Sequence, residues 1–294
     1  MENACQCKNM VKTFEDFQLG PINLDLDPGV VLGLIGPNGS GKTTFIQCLV
    51  GLLRANAGEI KVFGRLNDLN KPQWKLNIGY VGDIHVFWER WTAAKNLEFI
   101  AQFYPNWSEQ KATKLAERFR LPLGKRAKDL STGNRVKLSL IMALAHSPRL
   151  LLLDEPTAGL DPVVRSELLD VLFETLETGD CAILYATHIL PEISRLADDL
   201  AFIDDGQIWL RIPKEELCDR WRKISFRLAE EPIALKSIAG HRVEGNEHQV
   251  VSADLLSTLK QLKDLGAEEI QDFPMSVEEI AIQILKGRDH VEDN

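Results

Sequence analysis

Long apolar runs are missing from this sequence of 294 residues. No stretch approaches the roughly 18 to 20 consecutive apolar residues of a membrane-crossing helix, and Met1 to Met10 lacks the apolar centre of a secretion signal. The expectation is a chain that stays in the cytosol. Cysteine is sparse and odd in number, with five residues at Cys5, Cys7, Cys48, Cys181 and Cys218. That scatter suits reduced thiols better than a disulfide framework, and the Cys5/Cys7 pair has no second Cys or His cluster to complete a metal site. Basic charge is also short. With 34 Lys and Arg against 43 Asp and Glu the formal charge is -9, which argues against a broad nucleic-acid-binding face. Repeats and low-complexity linkers are absent. What remains is an ordinary soluble composition, 45% hydrophobic and 26% charged, long enough for one large or two modest domains.

The stretch around which the chain is organised is an apolar strand, Val30 to Ile35, then a glycine-rich turn and a helix start. Gly36, Pro37, Asn38, Gly39, Ser40, Gly41, Lys42, Thr43 and Thr44 fit the phosphate-binding pattern G-x-x-x-x-G-K-[ST]. The glycines let the backbone close around an anion, so that successive N–H groups and a helix N-terminus face it. Lys42 adds a point charge for the β- and γ-phosphates, and the Thr43 hydroxyl takes one position on Mg²⁺. Phe45, Ile46 and Leu49 supply the apolar face of the helix.

A phosphate loop alone leaves kinases, GTPases, helicases and transport ATPases open, so a second motif has to choose. Leu150 to Leu153 is a continuous apolar run, as a strand buried on both faces of a parallel sheet requires. It delivers Asp154 and Glu155 to the sheet's C-terminal edge, where nucleotides bind in open α/β folds. Asp154 suits Mg²⁺ and Glu155 the polarisation of an attacking water.

Between these motifs the pattern predicts strands at Phe17 to Leu19, at Ile22, Leu24 and Leu26, at Gly58 to Gly64 and at Ile78 to Gly82. Helices follow from about Ala93 to Ala145. After Glu155 come helix 162–177, strand Cys181 to Ala186, helix 190–197 and strand Leu200 to Ile203, an α/β alternation. The character changes near Arg211-Ile212-Pro213. Beyond it, strands at Lys223 to Leu228, Gln249 to Val251 and Glu268 to Gln271, with helices at Asp254 to Asp264 and Ser276 to Lys286, predict a small α+β tail.

Gly36 to Thr44, Leu130-Ser131-Thr132-Gly133-Asn134, Leu150 to Glu155, Ala158-Gly159-Leu160-Asp161 and Thr187-His188 occur in the order and approximate spacing of the ATP-binding cassette (ABC) transporter ATPases. The chain resembles that family over about residues 1–212. The resemblance implies that Leu160 and Asp161 belong to a loop linking two active sites across a dimer, that His188 contacts the γ-phosphate, and that Phe14 stacks on adenine. Read alone, Phe14 is a core aromatic and His188 a hydrogen-bonded strand-end residue. Ser131 can cap a helix whose apolar positions are Val136, Leu140, Ala143 and Leu144, making a second anion site. If that helix faces outward as in the family, Ser131 and Gly133 serve ATP held by another subunit, and the active form is a head-to-tail dimer around two ATP molecules.

Two departures from the family pattern stand out. Thr132 and Asn134 replace a glycine and a glutamine of the usual signature, and Asp83 aligns with a usual glutamine. Asp83 either joins Thr43 and Asp154 at Mg²⁺ or begins a turn and points to solvent. Trp74, Trp88, Trp91 and Trp107, with Phe87 and Tyr104, fall where the family docks its membrane partner; read alone, they are the core of a helical subdomain.

The reading is an α/β P-loop NTPase of the ABC ATPase type, with a nucleotide-binding domain at 1–212, a helical subdomain at about 84–148 and a small α+β C-terminal domain at 213–294. Its expected role is the ATP-binding and ATP-hydrolysing subunit of an exporter-type, ABC-2-like bacterial transporter. ATP and Mg²⁺ are the expected cofactors. The expected partners are a second copy or a related ATPase and a separately encoded permease, which would hold the chain at the inner face of the membrane. A soluble cassette ATPase acting as a mechanical switch on ribosomes or DNA is the alternative, although this chain has one cassette, no heptads and no basic linker. A nucleotide kinase or GTPase would leave 130–134 and His188 unexplained.

Overall fold

The structure is a computed structural model that describes residues 2–82, 86–177, 181–228 and 235–289. The chain divides into two compact units, Met1–Arg211 and Ile212–Asn294. The first begins with β1 (Cys5–Thr13), β2 (Gln18–Leu26), β3 (Val31–Ile35) and α1 (Lys42–Leu49). It continues through β4 (Ala57–Val62), β5 (Arg65–Leu66), β6 (Ile78–Val81) and three helices, α2 (Ala93–Ala101), α3 (Glu109–Arg118) and α4 (Thr132–Leu144). It closes with β7 (Leu150–Asp154), α5 (Pro162–Glu177), β8 (Ala182–Ala186), α6 (Leu190–Leu196), β9 (Asp199–Asp204) and β10 (Gln207–Pro213). Six strands form one sheet in the order β10-β9-β3-β8-β7-β6, with β6, β7, β8, β3 and β9 paired in parallel. A second sheet, β2-β1-β4-β5, is antiparallel.

The central strands β3, β7 and β8 are buried at every position, which is why Leu150 to Leu153 reads as an unbroken apolar run. One core cluster joins the two sheets. It takes Met10, Leu19, Ile22 and Leu24 from β1 and β2, Phe45 and Leu49 from α1, and Leu32, Leu152 and Leu184 from the parallel sheet. Cys5, Cys7 and Cys48 are buried in that cluster as free thiols. Two strands differ from expectation. β1 is an additional strand, hidden in the sequence because Cys5 to Thr13 carries polar residues at most positions, and Gln18 to Leu26 is one continuous strand across Gly20-Pro21. The alternating burial of β2 comes from Leu19, Ile22, Leu24 and Leu26, which all face the core.

The helices α2 to α4 cap as local chemistry requires. Thr92 Oγ1 accepts from Lys95 N and Ser108 Oγ from Lys111 N, both at 3.2 Å, and Ser131 Oγ accepts from Asn134 N at 3.4 Å. The predicted aromatic group splits. Trp74 belongs to the main core beside Gly51, and Phe87 is buried beneath the Arg135 guanidinium. Trp88, by contrast, is 46% exposed and stacks on Trp91, with Phe99 edge-on to both.

The second unit contains α7 (Lys214–Arg220), β11 (Arg222–Arg227), β12 (Ile238–Glu244), β13 (Glu247–Ser252), α8 (Leu255–Asp264), β14 (Glu268–Pro274) and α9 (Val277–Asp289). Its antiparallel sheet runs β12-β13-β11-β14, and Ile224, Phe226, Val250 and Leu262 form a small core between sheet and α8. Among the described residues no helix is long and apolar enough to cross a membrane.

His146, just past α4, is 1% exposed and stacks face to face on Tyr104 at 4.0 Å; among the described residues neither ring nitrogen has a hydrogen-bond partner. Burial, aided by the nearby Lys111 ammonium, pushes its pKa down to about 4 from 6.5. The unfolded chain therefore takes up this proton as pH falls through 6.5 while the folded chain does not until about 4, so stability is lost across that interval. His146→Phe keeps the stack and removes the proton uptake. Urea titrations at pH 7 and pH 5 should show the variant spared roughly 2 kcal/mol of the parent's acid-induced loss. Equal losses in the two proteins would remove His146 from the acid response.

Candidate active site

Strand register builds the site. Leu34 of β3 and Asp154 of β7 both pair with Ala186 of β8, so the three neighbouring strands end at one level. The segments that follow emerge together at the C-terminal edge of the parallel sheet: the 36–41 loop, Glu155, and Thr187-His188.

The loop folds as its residues demand. Gly41 has φ 104°, a left-handed conformation that glycine takes without strain, and it opens α1. A Cβ on Gly36 would lie 2.1 Å from the Ile203 carbonyl oxygen, so the loop can approach β9 only with glycine there. Lys42 is buried beneath the loop, and its ammonium donates to the carbonyl oxygens of Gly36 at 2.8 Å and Pro37 at 3.0 Å. Burial lowers its pKa, while the Glu155 and Asp154 carboxylates oppose that shift. Lys42 Nζ lies 3.8 Å from Glu155 Oε1. Ser40 is also buried, and among the described residues its hydroxyl has no hydrogen-bond partner.

Asp154 is fully buried, and the Thr43 hydroxyl donates to its Oδ1 at 3.1 Å. Glu155 has φ 49°, and its backbone N–H donates to Ala186 O at 2.9 Å. Its carboxylate turns toward β8, where Oε2 lies 2.8 Å from His188 Nδ1. A carboxylate only accepts, so Nδ1 carries the proton of that bond. The His188 side chain is 53% exposed, so its ring reaches solvent while anchored to Glu155.

These groups surround a cavity of about 400 Å³. Asn38, Gly39, Gly41, Lys42, Thr43 and Thr44 line it from the loop side, Glu155, Ala158 and His188 from the other, and Phe17 closes one wall. Phe17 is a lining residue that sequence reasoning places only in a strand; its position three residues after Phe14 is the one signal available. Phe14 itself is 43% exposed and sits 6.5 Å from Phe17, ring centre to ring centre, with the Lys12 ammonium 5.2 Å from its own ring.

Ser131, Gly133 and Asp161 do not line the cavity. Ser131 and Asp161 are exposed at the starts of α4 and α5, and a Cβ on Gly133 would meet Leu160 and Val164 at 3.8 Å. There Asp161 caps α5, its carboxylate accepting from Val163 N at 3.0 Å and Val164 N at 3.1 Å. Asp83 lies outside the described residues. Among the described residues no three His, Cys, Asp or Glu side chains converge to hold a metal by themselves. Thr43 and Asp154 offer two hard oxygens, which suits Mg²⁺ when phosphate and water supply the remainder. Buried cationic Lys42 and the backbone of the loop that lines the cavity suit a polyphosphate.

Residues 19–158 match the family model described as ABC transporter. The uncharacterized ABC transporter ATP-binding protein YdbJ of Bacillus subtilis (strain 168) is 32% identical over 238 residues, which span 80% of this chain and 76% of that protein. The bacitracin transport ATP-binding protein BcrA of Enterococcus faecalis is 30% identical over 284 residues, 95% of this chain and 88% of that one, so its likeness runs through the second unit. A solved ATP binding subunit of an ABC transporter superposes with a TM-score of 0.67 at 26% identity, covering 74% of this chain and 92% of that structure.

Gly36→Ala forces a methyl group against the Ile203 carbonyl and should push the loop off β9. The expected result is at least about tenfold weaker ATP binding by calorimetry, with the far-ultraviolet circular dichroism of the parent retained. Unaltered affinity would show that the loop does not form the phosphate cradle.

Proposed function

Because the chain belongs to the ABC transporter family as an ATP-binding subunit, an ATPase, we propose that it dimerises around two Mg-ATP and drives a separately encoded membrane permease in export. The observation that carries this is the convergence of Lys42, Glu155 and His188 on one cavity at the ends of β3, β7 and β8. In this reading 1–212 is the nucleotide-binding domain, with its helical part at about 84–148, and 213–294 is its small C-terminal extension.

The phosphates of ATP rest on the amides of 36–44 with Lys42 as the buried counter-charge. Thr43 and Asp154 hold Mg²⁺, with Asp83 as a third candidate. The ion, when bound, neutralises phosphate charge. Glu155 takes the proton of the attacking water, and His188, held by its bond to Glu155, faces the γ-phosphate from the exposed side. Phe14, beside Phe17 at the cavity wall, stacks on adenine. Ser131 and Gly133, with Asp161 next to them, lie off the cavity of their own chain, which supports a role at the ATP of a second copy or a related ATPase. Export is the direction we assign; likeness to a Nod factor export ATP-binding protein supports it. The exposed Trp88 and its stacked partner Trp91 offer an apolar face for the permease, which would hold this subunit at the cytoplasmic side of the membrane.

Glu155→Gln preserves size and hydrogen bonding but not the base. Hydrolysis should fall by about 10²-fold or more while ATP stays bound. Turnover at the parent rate would overturn the assignment.

Sedimentation of the same variant tests the dimer. The chain is acidic, so association should await Mg-ATP, and addition of ATP should convert monomer to dimer. A monomer at every ATP concentration would exclude the homodimer and leave pairing with a related ATPase to be sought by co-purification.

A further inference from the structure

Glu192, in the first turn of α6, is 2% exposed and does not line the cavity. A carboxylate buried to that degree persists only where donors and positive charge surround it. Its partners come from separate segments of the chain. The Thr157 hydroxyl donates to Oε1 at 2.6 Å, from two residues beyond Glu155. The Tyr185 phenol donates to Oε2 at 2.7 Å from β8, and the Thr187 hydroxyl, immediately before His188, reaches the same oxygen at 3.4 Å. Arg165 Nε lies 3.3 Å from Oε1, and the Nη2 of that side chain donates to Leu160 O at 3.5 Å.

We propose that Glu192 is a positioning residue for ATP hydrolysis, tying the Glu155 segment, the His188 segment and the 158–161 loop to a single buried carboxylate. The proposal rests on the roles given above to Glu155 and His188. Glu192 acts on them through the threonines, since Glu155 lies two residues from Thr157 and His188 follows Thr187. Thr157 and Thr187 are themselves fully buried, so their hydroxyls have no solvent alternative. Burial and the Glu192 charge hold the Tyr185 phenol well above its usual pKa, so it remains a donor at any working pH. Removing the carboxylate therefore releases both loops at once, and misplacement of a reacting group by about 1 Å can cost on the order of 10²-fold in rate.

The test compares four full-length variants with the parent: Glu192→Gln, Thr157→Val, Tyr185→Phe and Glu155→Gln. Each is assayed for ATP affinity by calorimetry, for kcat and KM, and for thermal unfolding. Glu192→Gln keeps the volume but loses the charge facing Arg165 and presents an amide to three hydroxyl donors. We expect its kcat to fall about tenfold or more with ATP affinity within about threefold of the parent, and kcat losses of about three- to tenfold in Thr157→Val and Tyr185→Phe. Parental kcat in Glu192→Gln, or ATP affinity falling in step with kcat, would overturn the proposal; the second pattern marks a purely structural residue. If Glu192→Gln does not fold, Thr157→Val and Tyr185→Phe decide by the same split between kcat and affinity. Glu155→Gln keeps the two claims apart: parental turnover there sinks the catalytic reading itself, whereas an inactive Glu155→Gln beside an unaffected Glu192→Gln sinks only the positioning role.

Discussion

Burying charge at the edge of an apolar sheet is the constraint on which the rest of the first unit depends. Lys42, Asp154 and Glu192 are all buried there, and an unpaired ion in such a place costs several kcal/mol even after relaxation. Each is compensated by a different segment. Lys42 is held by loop carbonyls, Asp154 by the Thr43 hydroxyl, and Glu192 by three hydroxyls and a guanidinium. The partners must arrive at the same height above the sheet, and the common register of β3, β8 and β7 supplies that alignment. For Lys42 the compensation is loose. Its close partners are neutral carbonyls and Glu155 stands off at 3.8 Å, so the loop keeps positive potential for a phosphate.

The parts of this arrangement legible in the sequence are those where residue type alone forces a conformation. Gly41 takes a left-handed φ and Gly36 admits no Cβ, so the loop's glycines are written in the chain. Leu150 to Leu153, a continuous apolar run, reads as a strand buried on both faces and is one. Ser131 and the apolar spacing after it announce α4 and its cap. Parallel pairing is legible for the same reason, since helices and buried strands alternate along the chain.

What is not legible depends on tertiary partners. β1 exists because Cys5, Cys7 and Met10 meet the main core on one side and β2 and β4 flank the strand, and none of this leaves an apolar run in the sequence. β10, β12 and α7 are hidden likewise, being strands of mixed polarity and a helix of a single buried leucine. The aromatic group could not be divided from sequence. Trp74 and Trp88 are the same residue type 14 positions apart, yet one fills the core and the other stands at the surface. Glu192 gives no signal because an acidic residue in the first turn of a helix is favoured by the helix dipole whether or not it is buried.

The backbone at Glu155 joins these threads. A non-glycine residue at φ 49° carries strain of order 1 to 3 kcal/mol and persists only where its surroundings impose it. Here they do. Its N–H is fixed to Ala186 O, the residue before it is locked in β7, and the second residue after it is fixed to Glu192 through Thr157. An extended residue at that position would continue the strand and send its side chain to the opposite face of the sheet. The left-handed turn ends β7 with the carboxylate swung toward β8, where His188 Nδ1 meets it at 2.8 Å. The strained residue and the buried network beside it therefore belong together: the network holds the conformation, and the conformation brings Glu155 and His188 to the same side of the cavity.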